Sequence, residues 1–352
     1  FIESTLEAEA VAVAPGVFFV FRDTSVRQAF FEHRTMRSKP HGRSPDYTIG
    51  SEHGSGTQDF YREHQTLLDG LWESWMELGR PPQADEIHFH NEIKELFGKW
   101  SAALRFLRRY HGEEAVTAAS EARKADLIVH LALERFEGRK RLTEYSERMQ
   151  RDLKVLFGSY RRAKASGQSE LFDIADRERI ADACTEAVAS GLGALDQEHS
   201  LTIHTSYVAQ LPTILRVYIG CATYLYGDVT AADLVKIHGQ SDKLSLMTFD
   251  DFVNKPLPRM VSRVKLDYRN QDFTVFEYGQ DYESPYLFRK SRFVKDDFPN
   301  YQRQVAFDAS LDRLNIADLN NHGPPAHRFD ALLQRYRLKV EGFELVGCDD
   351  IP

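Results

Sequence analysis

The chain has 352 residues, of which 42% are hydrophobic and 28% are charged, and its formal net charge is −8. This composition excludes a largely disordered chain and predicts a globular protein of two or three domains. The negative charge excludes a protein that coats nucleic acid indiscriminately, so any contact with nucleic acid must come from local basic patches.

The cysteines and the apolar runs of the sequence indicate in which cellular compartment the protein lies. Cys184, Cys221 and Cys348 are far apart, a spacing that fits neither a zinc cluster nor a disulfide framework. No apolar run in the sequence is long enough to span a bilayer. We therefore expect a cytoplasmic protein with no membrane partner and no bound metal. Because the chain begins at Phe1 without an initiator Met, we also expect it to be a piece of a longer protein.

Residues 1–36 are predicted to form a trailing helix and a β-hairpin. The apolar runs Ala10–Val13 and Val17–Arg22 are joined by Ala14-Pro15-Gly16, which is a sequence typical of turns. A hairpin this hydrophobic would leave an apolar strand edge exposed, so we expect it to complete a larger sheet. The alternative is a small hairpin that packs on the downstream helices. Residues 37–57 are rich in Gly, Ser, Pro and His and are predicted to be a linker.

Residues 58–200 are predicted to form a helical, DNA-binding-like domain. Apolar residues recur at helical spacing up to Gly79, which is predicted to end one helix. Asp85 is predicted to cap the next helix and Ser101 the one after it.

One pattern in this domain occurs twice. Leu96–Trp100 (LFGKW) is followed sixty positions later by Leu156–Tyr160 (LFGSY). Each predicts two short helices around a glycine corner, with one face free to enter a groove. Basic residues flank both corners and are predicted to contact DNA phosphates, the alternative being solvated helix faces whose stems cover apolar surface. The predicted contacts are Lys94, Lys99, Arg105, Arg108 and Arg109 in the first unit, and Arg151, Lys154, Arg161, Arg162 and Lys164 in the second.

Residues 201–352 are predicted to be an α+β domain with a mostly antiparallel sheet. The predicted elements are a helix over Tyr207–Leu225, strands over Asp233–His238, Lys243–Phe249, Val261–Tyr268, Phe273–Tyr278 and Tyr286–Lys290, helices within Val305–Tyr336, and a strand over Leu338–Val346. The fold class predicted for the whole chain is therefore α+β, with a mainly helical N-terminal half that contains helix-turn-helix-like units.

The α+β half offers one weaker candidate site. Lys236 and His238 are two residues apart on a predicted strand and so share a face, and Asp250 and Asp251 follow the next strand. Together they could form a general acid/base or phosphate-holding site. The alternative is a half-solvated strand on which charged and apolar residues alternate. No glycine-rich phosphate loop or nucleophile elbow is present in the sequence, so no cofactor is expected in this chain.

Several segments resemble the bacterial family of methyltransferases associated with DNA phosphorothioation. They are Val13–Asp23 (VAPGVFFVFRD), the LGRPP and ELFGKWSAALRFL blocks, Asp126–Phe136 (DLIVHLALERF), Gln150–Ala163 (QRDLKVLFGSYRRA), Leu211–Ala222 (LPTILRVYIGCA), Ala232–Leu246 (ADLVKIHGQSDKLSL) and Tyr286–Val294 (YLFRKSRFV). In that family such blocks follow a domain that binds S-adenosylmethionine. The resemblance implies that this cofactor belongs to a missing N-terminal domain, and that the hairpin is similar to the last two strands of a class I methyltransferase sheet.

The LGRPP–FGKW block also resembles the small helix-turn-helix repeat that accompanies some homing endonucleases. The leading hypothesis is therefore a DNA-binding C-terminal region of a methyltransferase-like protein that acts in phosphorothioation or phage restriction. Its expected partners are duplex DNA, including phosphorothioate-modified DNA, and other phosphorothioation or restriction proteins. One alternative is a metal-dependent nuclease or other hydrolase with its site in the α+β half. Another is a protein-interaction scaffold of a defence complex.

Overall fold

The chain is an α+β protein. The structure, a computed structural model, describes residues 9–14, 17–21, 23, 25–27, 55–138, 140–196, 199–227, 229–279, 282–315, 319 and 323–347. Two compact units are present: residues 25–170, hereafter the helical unit, and residues 1–24 with 171–352, hereafter the sheet unit. The predicted helix over residues 1–8, most of the predicted linker and Cys348 lie outside the described residues.

The predicted N-terminal hairpin is confirmed. Strands β1 (Glu9–Ala14) and β2 (Val17–Phe21) pair antiparallel, with Glu9 opposite Phe21. The hairpin is grouped with the sheet unit, so the segment predicted as residues 1–36 is divided between the two units. That the hairpin completes a larger sheet stays a prediction.

The helical unit consists of helices and short 3-10 turns, as its apolar periodicity predicts. The helices are α1 (Ser55–Glu63), α2 (Gln65–Leu78), α3 (His90–Phe97), α4 (Trp100–His111), α5 (Glu113–Leu133), α6 (Glu147–Phe157) and α7 (Tyr160–Asp173). Two apolar clusters form its core. One is rich in aromatic rings and includes Trp72 and Trp75, and the other includes Leu127, Met149 and Leu153.

Helix ends agree with the sequence where glycine decides them and differ where a polar cap was expected. Gly79 has φ 62° and ends α2, a left-handed conformation that glycine adopts without strain. Asp85 does not cap α3, because it lies in a separate 3-10 turn (Ala84–Glu86). Ser101 lies inside α4, whose N-cap is Lys99.

The sheet unit is built on one six-stranded sheet in which all neighbouring strands are antiparallel, in the order β3-β4-β5-β6-β7-β8. The strands are β3 (Ala194–Leu195), β4 (Leu201–His204), β5 (Leu234–His238), β6 (Lys243–Phe249), β7 (Met260–Asp267) and β8 (Asp272–Glu277). Strands β3 and β4 are only two and four residues long and were not predicted from the sequence.

Helix α8 (Arg177–Ala189) belongs to the sheet unit rather than to the predicted 58–200 domain. Its buried residues Ile180 and Cys184 share one hydrophobic core with Leu201 of the sheet. The domain boundary therefore lies near residue 170 and not near residue 200, because burial of the apolar face of α8 requires the sheet.

The remaining elements correct the predicted boundaries. They are the 3-10 turns Thr205–Gln210, Val229–Ala231 and Lys290–Phe293, the helices α9 (Thr213–Leu225), α10 (Tyr301–Leu314) and α11 (Ala326–Arg335), and a hairpin of β9 (Leu338–Glu341) and β10 (Glu344–Gly347). The single strand predicted over Leu338–Val346 is therefore two paired strands.

The strand predicted over Tyr286–Lys290 is not formed. Tyr286 makes only an isolated bridge with Arg259. Lys290 is 1% exposed and donates from Nζ to the carbonyl oxygens of Phe252 and Lys255, both at 2.6 Å, which holds its segment in a turn. None of the helices that the structure describes combines the length and the apolar character needed to cross a membrane.

Candidate nucleic-acid interface

The two glycine-cornered patterns are equivalent structures. Trp100 donates from Nε1 to the carbonyl oxygen of Pro82 at 3.0 Å, and Tyr160 donates from its hydroxyl to the carbonyl oxygen of Lys140 at 2.7 Å. Each of these carbonyls lies two residues before a 3-10 turn. The aromatic residue after each corner therefore closes the same loop in both copies. The helical unit contains an internal repeat: α2, the 3-10 turn Ala84–Glu86, α3 and α4 are followed by α5, the equivalent 3-10 turn Leu142–Glu144, α6 and α7. The second repeat has one further 3-10 turn, Glu134–Phe136, directly after α5.

The 3-10 turns are closed in the same way in both repeats. The carboxylate of Glu86 accepts the backbone N–H of Gln83 at 2.8 Å, and that of Glu144 accepts the backbone N–H of Arg141 at 2.5 Å. A glutamate three residues after a cap position is the usual partner in a capping box. This local chemistry fixes where each corner unit begins.

Glycine is required at both corners. Gly98 has φ 70° and Gly158 has φ 74°, a region that residues with a Cβ adopt only at a cost. Phe97, just before the first corner, packs edge-on against Phe60 with ring centroids 5.6 Å apart. The corner is thus a sharp turn held by an aromatic core on one side and exposed on the other.

A buried ionic cluster joins the two repeats. Asp152, in α6, is fully buried and accepts from Nε of Arg80 at 2.7 Å and from Nε of Arg123 at 3.0 Å. Arg80, which follows α2, also binds both oxygens of Glu86 at 2.7 and 2.8 Å. The hydrogen bond from Arg80 is the main cause that lowers the pKa of Glu86 to about 2. The basic helix surfaces are therefore positioned by a buried cluster whose charged groups are paired with one another.

Seven of the ten predicted DNA-contacting cations are exposed. No carboxylate partner is found for them in the part of the chain that the structure describes. They are hereafter the free cations: Lys94, Lys99, Arg105 and Arg109 in the first repeat, and Lys154, Arg161 and Arg162 in the second.

The other three predicted contacts are engaged within the protein. Arg108 forms an ion pair with Glu113. Arg151 pairs with Asp85 at 2.6 Å. Lys164 donates to the carbonyl oxygen of Lys140 at 3.4 Å and is only partly exposed. We therefore correct the predicted interface by removing these three residues.

The free cations are not equivalent between the repeats, with one exception. Lys94 and Lys154 lie sixty positions apart, each four residues before its corner glycine. In the first repeat Lys99 directly precedes α4, and Arg105 and Arg109 lie four residues apart on one face of that helix. In the second repeat Arg161 lies in the first turn of α7, near the positive end of the helix dipole. A cation there is disfavoured unless an anion binds, which makes this turn the most favourable phosphate contact.

The four residues of the predicted α+β site do not come together. Lys236 lies opposite Ser245 on β6, and Asp250 follows Ser245 by five residues along the same segment. At about 3.3 Å per residue, roughly 17 Å separates the two ends. Asp250 instead accepts from Lys255 at 2.8 Å. Asp251 has φ 69° and accepts the backbone N–H of Asn254 at 3.1 Å, so it closes a turn.

Among the described residues, no group of three or more His, Cys, Asp and Glu side chains is placed to hold a metal ion. Burial raises the pKa of Cys184 and of Cys221 to about 12, so both thiols stay protonated near neutral pH.

Comparisons with known proteins give no relative: no protein-family model, no curated protein and no solved structure matches this chain.

Proposed function

We propose that the helical unit binds duplex DNA through its seven free cations. One observation carries the proposal: exposed cations, for which the described part of the chain offers no carboxylate partner, lie on two copies of the same helix-corner-helix unit in a chain whose net charge is −8. Each lysine or arginine that neutralises a phosphate releases counterions, which is the main source of affinity for a DNA backbone. The acidic remainder of the chain favours binding through this surface only.

The proposal predicts a measurable dependence on salt. The logarithm of the binding constant should fall linearly with the logarithm of salt concentration, with a slope of about −0.9 for each phosphate contacted. If all seven free cations contact phosphates, the slope reaches about −6. Filter binding of a duplex at rising salt measures this slope. A flat response, or no binding at low salt, would refute the proposal.

A pair of variants distinguishes the loss of interface cations from a general loss of positive charge. Arg161→Gln with Arg162→Gln removes two free cations, whereas Lys339→Gln removes one cation from β9 that pairs with Glu341 at 3.3 Å. The double variant should reduce the slope by about two units, and the control should leave it unchanged.

We further propose that the chain acts in the cytoplasm, as part of a methyltransferase-like protein associated with DNA phosphorothioation or phage restriction. This rests on the sequence blocks that resemble that family. S-adenosylmethionine would then bind outside this chain, so calorimetry with this chain should show no heat. A duplex carrying phosphorothioate linkages should bind more tightly than the unmodified duplex, and equal affinities would remove the link to phosphorothioation. The sheet unit would read the modified site or bind partner proteins.

A further inference from the structure

The outer face of the six-stranded sheet carries a row of polar residues. Thr202, Lys236, Ser245 and Lys265 lie opposite one another in register on β4, β5, β6 and β7. Directly opposed residues in antiparallel strands point to the same face. The alternate residues, such as Val235, are buried in the core shared with α8 and α9. The centre of the outer face is therefore polar, and each of the four neighbouring strands contributes one polar residue to it.

Ser245 lies at the centre of a cluster of nitrogen-bearing side chains on this face, hereafter the trough. It is fully buried, and its hydroxyl oxygen lies 3.0 Å from Nε2 of His238 and 3.3 Å from Nη2 of Arg263. Lys236 and Lys265 lie one strand away on either side, about 10 Å apart between their backbones. The small side chain of Ser245 therefore lies among four longer side chains that all carry nitrogen atoms, those of Lys236, His238, Arg263 and Lys265.

The charge in this trough is only partly balanced. Lys236 pairs with Asp196 at 2.6 Å. Arg263 and Lys265 are half-buried, and neither has a carboxylate partner among the residues that the structure describes. Nε of Arg263 is buried without a hydrogen-bond acceptor. A buried guanidinium N–H without an acceptor is costly, and an oxygen anion is the group that would satisfy it.

The pKa of His238 is also affected by the positive charge of the trough. Burial, followed by Lys236, Arg263 and Lys265, lowers the pKa of His238 to about 4. The ring is therefore neutral at physiological pH. It can hydrogen-bond to Ser245 without adding a further charge to the trough.

We propose that this trough, formed by Lys236, His238, Ser245, Arg263 and Lys265, binds a phosphate group. Arg263 has a planar guanidinium group whose N–H donors match the geometry of a phosphate. Lys265, two residues further along β7, supplies a second cation. No bond is made or broken in this binding. All five residues belong to the sheet unit, so phosphate binding here does not depend on the DNA contact proposed for the helical unit.

Aromatic rings beside the trough indicate what kind of phosphate-bearing molecule binds there. Phe276 lies opposite Arg263 on β8. Its ring packs against that of Tyr282, with centroids 5.8 Å apart, and Tyr282 is 51% exposed. A phosphate that carries a nucleoside could stack its base there, whereas inorganic phosphate could not.

Calorimetry with the full chain tests the site with two probes, inorganic phosphate and the dinucleotide d(TpT). Both supply phosphate oxygens, and only d(TpT) supplies bases. The variant pair is Arg263→Gln with Lys265→Gln, and the control is Arg269→Gln, which removes an exposed cation from the turn between β7 and β8. We expect the double variant to weaken binding at least tenfold and the control to change it less than twofold.

The outcomes separate clearly. Tighter binding of d(TpT) than of phosphate identifies a nucleic acid as the source of the phosphate, and equal binding identifies free phosphate. Binding of neither probe, or equal loss in the double variant and the control, overturns the proposal. A second readout does not depend on affinity: saturating phosphate should raise the pKa of His238 measured by NMR, because a bound anion favours the imidazolium. An unchanged His238 titration also counts against the site.

Discussion

Arg80 and Asp152 meet in the interior of the helical unit, where Nε of Arg80 donates to Oδ1 of Asp152 at 2.7 Å. The two side chains are 1% and 0% exposed. Arg80 belongs to the first repeat and Asp152 to the second, so this contact fixes the two repeats relative to each other. Because the second oxygen of Asp152 is taken by Arg123, neither oxygen of the buried carboxylate is left unpaired.

Removal of Asp152 should therefore destabilise the helical unit severely. Asp152→Ala leaves two guanidinium groups without their shared anion, and we expect a loss of about 3–5 kcal/mol in the free energy of unfolding. Urea denaturation followed by circular dichroism measures it. The control is Arg148→Ala, since Arg148 pairs with Glu77 at 3.0 Å on the exposed surface. Such a pair contributes about 0–1 kcal/mol. Similar losses in both variants would show that the buried cluster does not hold the repeats.

Equivalent positions in the two repeats should contribute equally to DNA binding. Lys94→Ala and Lys154→Ala each remove an exposed cation at the same place in its repeat. Each should reduce the salt slope by about 0.9. Arg108→Ala is the internal control, because Arg108 already pairs with Glu113. If Arg108→Ala reduced the salt slope and Lys94→Ala did not, our assignment of free and engaged cations would be wrong.

The first glycine corner should resist substitution for a conformational reason alone. At Gly98 the backbone has φ 70°, and a Cβ there would meet no atom within 4 Å. Gly98→Ala should therefore cost about 1–2 kcal/mol from left-handed strain without any clash. Gly56→Ala in α1 is the matched control, because space is also open there and Gly56 has no left-handed φ. It should be neutral or stabilise by roughly 0.5 kcal/mol. Thermal melts of the two variants should move in opposite directions or diverge by several degrees.

Stability should fall as the solution becomes acidic. Burial is the largest cause that lowers the pKa of His130 to about 3 and that of His204 to about 4. In the unfolded chain these groups titrate near 6.5, so below that pH the unfolded state binds more protons than the folded state. The stabilisation by the neutral rings is complete above pH 6.5 and decreases toward pH 4, at up to about 1.4 kcal/mol per pH unit for each histidine.

Urea denaturation between pH 7.5 and pH 4.5 measures this dependence. His130→Gln should flatten the curve even where it lowers stability at neutral pH, because the variant has one buried titrating group fewer. His88→Gln, at an exposed position, should leave the slope unchanged. Equal slopes for wild type and His130→Gln would show that the buried His130 ring is not a source of the acid sensitivity.

Much of the fold could be predicted because it depends on local chemistry. Period-two apolar runs predicted β5 to β8, and the glycines at positions 79, 98 and 158 mark helix ends as expected. Helix caps were less reliable: Asp85 and Ser101 are suitable capping residues, yet the helices begin elsewhere. The Glu86 carboxylate accepts the Gln83 backbone N–H and so closes a separate turn before α3. A short strand such as β3 has too few residues to show a period.

The sequence by itself determined the α+β class, the N-terminal hairpin, the repeated corners and the basic helix surfaces, because each depends on residues close together in the chain. Only the tertiary structure decided which charges are free. Arg151 is neutralised by Asp85, sixty-six positions earlier, and Arg263 meets Ser245 from the next strand. Such pairings depend on strand register and helix packing, which bring distant residues within a few ångströms and which no local pattern encodes.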